Sequence, residues 1–236
     1  MPHPLDRPIW SALTTRQAHL AVGDGRALRF DADFALFAAA ADAGPEATAA
    51  MSALIPEEGV VGLVEAGAVA LPPGARVVTE AACVQMTLTS LTPARGPEPD
   101  WIDLGEPDAP EMLALATLTE PGPFFAKTHQ LGAFVGVRIG GRLAAMAGER
   151  MKPDGFTEVS GVCAHPDFRG RGLAAALMRI VTERILARGE TPFLHAYAHK
   201  PQALALHQGV GFTVRSPVTF TVLSRRDDDE RTYGHG

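Results

Sequence analysis

The sequence predicts an α/β fold, a mixed and mostly antiparallel sheet flanked by helices, with a smaller α/β region ahead of it. Three observations carry that expectation. Residues 156–185 read as strand, turn and helix: Phe156 to Ala164 alternates around Val159 and Val162, and Leu173, Leu177, Ile180, Val181 and Ile185 recur at helical spacing. Gly140-Gly141 joins two apolar runs, 132–139 and 143–151, as the turn of a hairpin would. Near the end, GFTV and VTFTVL read as two closing strands.

Taken in order, the first half is Ala-rich. FALFAAAADA (34–43) and PEATAAMSALI (45–55) read as helices, the second with Pro45 and Glu46 in its first turn. VVGLVEA (60–66) and RVVTEAACVQMTL (76–88) read as strands on either side of a Pro-Pro-Gly turn. Gly23-Asp24-Gly25 is a turn signal. LTPARGPEPD (91–100) leaves no room for regular structure and marks a boundary. The chain is therefore expected to divide into an N-terminal region 1–98, a second region 99–223 and a polar tail 224–236.

The second region begins with a short strand, WIDL (101–104), and a helix over 108–118 entered at Ala109-Pro110. The loop TEPGPFFAKTHQ leads to the hairpin, and Lys152-Pro153-Asp154-Gly155 breaks the chain before the strand at 156. Gly189 stops the long helix. PFLHAYA (192–198) is a buried-looking strand and PQALALHQ (201–208) a short helix.

Composition excludes several classes. The chain of 236 residues is 46% hydrophobic and 20% charged, with a net charge of −6, which argues against a broad nucleic-acid surface. Its basic cluster, Arg169 to Arg188, is local and better suited to a small anion. Cys83 and Cys163 are too few for a disulfide scaffold and fit a reducing cytoplasm. No apolar run reaches transmembrane length and MPHPLDRPIW lacks a signal pattern, so a cytoplasmic protein without membrane contact is expected.

One turn carries the chemistry. Arg169-Gly170-Arg171-Gly172-Leu173-Ala174 feeds a helix N-terminus, where unpaired amides and the positive end of the helix dipole meet. Two arginines add charge, and glycine lets a bulky anion approach the backbone. Such a turn suits a pyrophosphate.

The order of elements, with Arg169-x-x-Gly172-x-Ala174 after the fourth strand of the second region, resembles the GNAT superfamily of acyl-CoA-dependent N-acyltransferases. The family's turn is Gln/Arg-x-x-Gly-x-Gly/Ala, and this is its single occurrence here. HPDFRGRG leading into it, and Ala203-x-x-Leu206-His207-x-x-x-Gly211-Phe212 after it, match the family's wording too. The resemblance covers about 99–223 and implies a GNAT acyltransferase fold there, with 1–98 an added region that covers the acceptor side, forms a dimer contact or is an eroded second copy of the fold.

The resemblance implies roles residue by residue. Amides of Gly170, Arg171, Gly172, Leu173 and Ala174, beside Arg169, would hold the diphosphate of coenzyme A. The strand edge at Val162, Cys163 and Ala164 would pair with the pantetheine arm. Cys163 itself reads as a small buried hydrophobe, not a nucleophile. Glu158, eleven residues before Arg169, stands where several GNAT enzymes carry a general base. An alkylammonium must lose a proton before it attacks, and a carboxylate whose pKa desolvation raises could take it. By alternation Glu158, Ser160 and Val162 share a face if no bulge intervenes. His207 replaces the family's usual tyrosine as proton donor to the departing sulfur. Lys200, in place of the usual asparagine, could reach a phosphate. Phe124, Phe125 and His129 lie in the loop that often shapes the acceptor pocket, and are the candidate substrate contacts.

Other constellations fail on context. Gly170-x-Gly172-x-x-Ala175 fits a dinucleotide fingerprint as written, but five residues separate it from the strand and Tyr197-Ala198-His199-Lys200 supplies no acid, so an NAD oxidoreductase ranks third. His195, His199 and His207 have no metal spacing, and no metal is expected. The resemblance thus implies acetyl transfer from acetyl-CoA to a primary amine of a small molecule or peptide, with a homodimer allowed. The alternative is a GNAT-like module that binds acyl-CoA as a sensor or interaction part without transferring the acyl group.

Overall fold

A computed structural model of the chain describes residues 3–67, 69–94 and 96–226. The N-terminal part runs through α1 (Pro8–Thr14), β1 (Ala21–Gly23), β2 (Ala27–Phe30), β3 (Ala38–Ala40), α2 (Pro45–Leu54), β4 (Val61–Glu65) and β5 (Ala75–Leu88). There follow β6 (Ile102–Leu104), α3 (Ala109–Thr119), β7 (Phe134–Ile139), β8 (Arg142–Glu149), β9 (Phe156–Ala164), α4 (Leu173–Ala187), β10 (Thr191–Tyr197), α5 (Pro201–Val210) and β11 (Phe212–Arg225). Eight strands form one sheet in the order β4-β11-β5-β10-β9-β8-β7-β6, and β1-β2-β3 form a small second sheet. Within the large sheet β9 and β10 are parallel and the other pairs antiparallel.

The mixed α/β class, mostly antiparallel and flanked by helices, is as the sequence predicts. Helix α4 shows why. Its apolar stripe Leu177, Met178, Val181 and Ile185 is buried against Val135, Ala145 and Val159 of the sheet. Cutting one such residue to alanine should cost about 2–5 kcal/mol. Gly189, at φ 76°, ends the helix in a conformation that disfavours side chains.

Three expectations need correction. The alanine run at 34–43 is not a helix: Ala38–Ala40 pairs with β2, and Phe37 bridges to Gly62. Phe37, Ala38 and Ala39 are all buried, and burial on both sides of the segment overrides alanine's helix propensity. The closing strands are one strand, β11, carried past the Ser-Pro break by a bulge: Val214 pairs with Met86 and Ser216 with Gln85, leaving Arg215 as the extra residue. Nor does the boundary near 98 divide the sheet. Strand β5 lies between β10 and β11, so residues of the 1–98 region complete the sheet of the 99–223 region. Leu5, Ile9, Phe30 and Phe37 pack with Phe193 and Phe220 of the later strands in one core. The tail expected at 224–236 lies largely outside the described residues, beyond 226.

Candidate active site

The site begins where β9 and β10 part. They pair at Phe156–Thr191, Thr157–Pro192 and Glu158–Phe193, and no further. Past Glu158 the strands diverge, leaving backbone groups of both strands open between them. Strand β9 is also bulged: Ser160 opposes Gly148 while Cys163 opposes Met146, and Gly161 takes φ 63°. The bulge breaks the expected alternation. Val162 packs with Val159 on the α4 side, and Cys163 turns into the cluster of Met112, Leu115 and Phe134 on the α3 side.

Beyond the splay, Gly170 and Gly172 both adopt left-handed φ, 77° and 75°, bending the chain into α4. Gly172 is the N-cap and offers no side chain to the helix. The amides of Gly170, Arg171 and Gly172 donate to no described group, and those of Leu173 to Ala175 lie in the first helical turn, which has no internal acceptors. A Cβ built at either glycine meets nothing within 4 Å, so both glycines face open space. The arrangement fits a diphosphate: six consecutive donors, a dipole end, and the exposed Arg169 and Arg171 alongside.

On the other side the splay opens into a cavity of about 240 Å³. Its wall comes from separate segments: Phe37 and Val64 of the N-terminal part, the 119–123 loop, Arg150, Val159–Val162 on β9, Leu194–Tyr197 on β10, and Lys200, His207 and Phe220.

Glu158 lies just behind this wall, wholly buried. Arg150 grips its carboxylate with Nε and Nη2, at 2.8 and 2.9 Å, and the Met151 amide donates at 3.3 Å. Nδ1 of His195 is 2.8 Å from the second oxygen. Burial alone would push this carboxyl up. The Arg150 charge and the hydrogen bonds from Arg150 and His195 outweigh it and hold the pKa at about 2. The expected upward shift is thus reversed, because Arg150, across the chain reversal, and His195, on the next strand, meet the carboxylate only in the folded chain. A carboxylate so strongly acidic and so fully paired is a poor proton acceptor.

The same pairing fixes His195. Gln85 gives one amide proton to the Leu5 carbonyl at 2.9 Å, takes one from Arg215 at 2.9 Å, and lies 3.2 Å from His195 Nε2. Nε2 therefore accepts and Nδ1 carries the proton toward Glu158. His195 lines the cavity.

His207 also lines the cavity, as expected of the residue in the tyrosine's place, and its Nδ1 is buried without a described partner. Burial lowers its pKa to about 4, so it is a neutral imidazole at pH 7. Tyr197, at the end of β10, lies in the same wall, and burial raises its hydroxyl above the usual phenol range. Lys200 caps its ring, with Nζ 5.0 Å from the centroid.

The remaining expected residues are spread out. Val162 is in the cavity wall; Cys163 and Ala164 lie farther along β9, and burial pushes the Cys163 thiol up to about 11. Phe124 stacks edge-on against Phe134 at 5.8 Å. None of Phe124, Phe125 and His129 is in the cavity wall; His129 is buried with Nε2 on Glu106 at 2.8 Å. Sequence reasoning passed over Arg150, His195 as a site residue, Tyr197 and Phe37. Arg150 ends the hairpin strand in Glu149-Arg150, and a charged pair closing an apolar strand was the available signal. Among the described residues no group of three metal-ligating side chains occurs, and no helix is long and apolar enough to cross a membrane.

Comparison with known proteins bears on this site. A family model described as FR47-like protein matches residues 134–221. The crystal structure of a GNAT-family protein from Novosphingobium aromaticivorans DSM 12444, described as an acetyltransferase, is 46% identical, with a TM-score of 0.89 over 95% of this chain and 100% of that one. A GCN5-related N-acetyltransferase from Kribbella flavida is 19% identical, with a TM-score of 0.60 over 93% of this chain and 96% of that one. A GCN5-related N-acetyltransferase-like protein from Streptococcus suis is 16% identical, with a TM-score of 0.51 over 87% and 82%. These last two share the fold. A search of curated proteins finds no match.

Proposed function

The chain belongs to the GNAT family, and from that premise we propose that it transfers an acyl group, acetyl in the first instance, from coenzyme A to a primary amine. One observation carries the reading: the amides at residues 170–175, at a glycine turn and helix start, stand at the open end of a strand splay that leads into a cavity. Those amides, with Arg169 and Arg171, would hold the diphosphate, and the free edge of β9 at Val162–Ala164 would receive the pantetheine arm. Coenzyme A supplies the acyl group as a thioester, already activated for attack.

The chain's own residues then manage two protons. An amine arrives as an ammonium ion and must give up a proton in the cavity. His195 offers the Nε2 lone pair, once Gln85 yields it, while Glu158 holds Nδ1–H and thereby the tautomer. Glu158 enters as a positioning residue, not as the base itself. On the sulfur side, the Tyr197 hydroxyl keeps its proton at neutral pH and can donate it. Neutral His207 can contribute a hydrogen bond there, but little acidity.

Thermal shift with acetyl-CoA tests the binding half. Ligand at 100 times its dissociation constant should add ~2.7 kcal/mol, or roughly 5–11 °C for a chain of this size. Thiol release with a panel of amines tests transfer. A second reading, an acyl-CoA sensor, draws on the locked Glu158 and neutral His207, which remove the family's usual base and acid. It predicts the same stabilisation and no thiol release with any amine.

A further inference from the structure

We propose that the acceptor is a small apolar α-amino acid whose carboxylate is held by Nη1 of Arg150. This rests on the acyl-transfer reading and names the substrate class of the same site.

Arg150 is 7% exposed, and it is not fully used. Nε and Nη2 are committed to Glu158, while Nη1 donates to no described group. The residue lines the cavity, and a Cβ placed on Gly122 would lie 3.9 Å from Nη1, so this nitrogen faces the 119–123 loop across the acceptor side. Nη1 is not among the fully buried polar atoms and stays open to the cavity, where a carboxylate is the partner whose geometry and charge suit it. The orientation is not free to drift. Glu158 clamps one edge of the guanidinium, and its plane lies over the Phe37 ring with Cζ 4.6 Å from the centroid. Because Glu158 already neutralises Arg150, the carboxylate would draw on a second cation in the wall, Lys200.

The remaining wall sets the rest of the acceptor. Phe37, Val64, Cys83, Val159 and Phe220 give part of the wall an apolar surface that can receive a hydrocarbon side chain, while Thr119, Glu120 and Ser160 line it elsewhere. The cavity, about 240 Å³, is below the roughly 300–1,000 Å³ usual for drug-sized ligands, and the thioester end must share it. An amino acid fits that allowance. A protein N-terminus has no α-carboxylate to offer Arg150.

The test uses matched pairs on the full chain with acetyl-CoA: L-leucine against L-leucinamide, and L-phenylalanine against L-phenylalaninamide, read as thiol release. The acids should exceed their amides in kcat/KM by about 10- to 100-fold, the range of a charge-assisted hydrogen bond. Arg150→Lys keeps a positive partner for Glu158 but removes Nη1, and should raise KM for the acid by a similar factor relative to the amide, on top of any loss of kcat that the altered Glu158 pairing brings to both. Should that variant not fold, calorimetry on the unaltered protein with coenzyme A decides: N-acetyl-L-leucine should bind, N-acetyl-L-leucinamide about 10- to 100-fold more weakly. Amides turned over as well as acids would overturn the inference and leave acyl transfer standing. So would acids that neither react nor bind in a protein that takes acetyl-CoA. A protein that ignores acetyl-CoA removes the functional reading, and this inference with it.

Discussion

The two ends of the site are built in opposite ways. The turn at 169–174 is consecutive chain: two left-handed glycines and a helix start gather backbone donors. The cavity is drawn from residues as far apart as Phe37 and Phe220, and side chains bind. Backbone recognition needs only local geometry, so it tolerates changes elsewhere in the fold. Side-chain recognition depends on the packing of the N-terminal part against β8, β9 and β10. The cofactor end is therefore what a family can share, and the acceptor end is where members can differ.

Changes at one end should leave the other intact. The largest effect is expected from Glu158→Ala, which strands a buried Arg150 charge; urea unfolding should show a loss of about 3–5 kcal/mol. The fraction still folded should bind acetyl-CoA as before, because the turn is untouched. If acetyl-CoA affinity falls with stability, the two ends are coupled. Tyr197→Phe should lower kcat by about 100-fold with acetyl-CoA affinity unchanged, measured by thiol release and calorimetry. An unchanged kcat would return the donor role to His207 or to solvent.

Gly172→Val acts on the opposite end. Its φ of 75° costs a β-branched residue about 1–2 kcal/mol, and the side chain shades the amides. Acetyl-CoA affinity should fall at least about tenfold, ~1.4 kcal/mol, with discrimination among acceptors preserved. The smallest effect concerns acid stability. His207 has its pKa lowered to about 4 from an ordinary 6.5, so its contribution is intact above 6.5 and fades as pH falls toward 4. Glu158, held at about 2 against an ordinary 4.5, contributes above 4.5 and loses that contribution only as pH falls further. His207→Phe should remove the first loss alone, sparing about 1 kcal/mol at about pH 5.5 relative to the parent, as denaturant melts across pH would show.

Much of this was legible beforehand because it is local. Helix α4, the β7–β8 hairpin and the glycine turn that enters α4 follow from spacing, glycine and a helix start within a few residues. What misled was equally instructive. The alanines at 38–40 favour a helix in isolation, yet they became strand because Phe37 and its neighbours are enclosed. Glu158 was found by position, but its character depends on Arg150 across a chain reversal and His195 on the next strand. Phe125 and His129 had the right chemistry for an acceptor loop, but their side chains turn elsewhere.

By itself the sequence determined the fold class, the family likeness and the glycine turn into α4, since backbone conformation over a few residues is set by those residues. Only the tertiary structure decided that β5 enters the middle of the sheet, that Gly161 bulges β9, and that Glu158 is a buried carboxylate paired with Arg150 and His195. Charge balance and enclosure are properties of groups distant in the chain, and they exist only once it has folded.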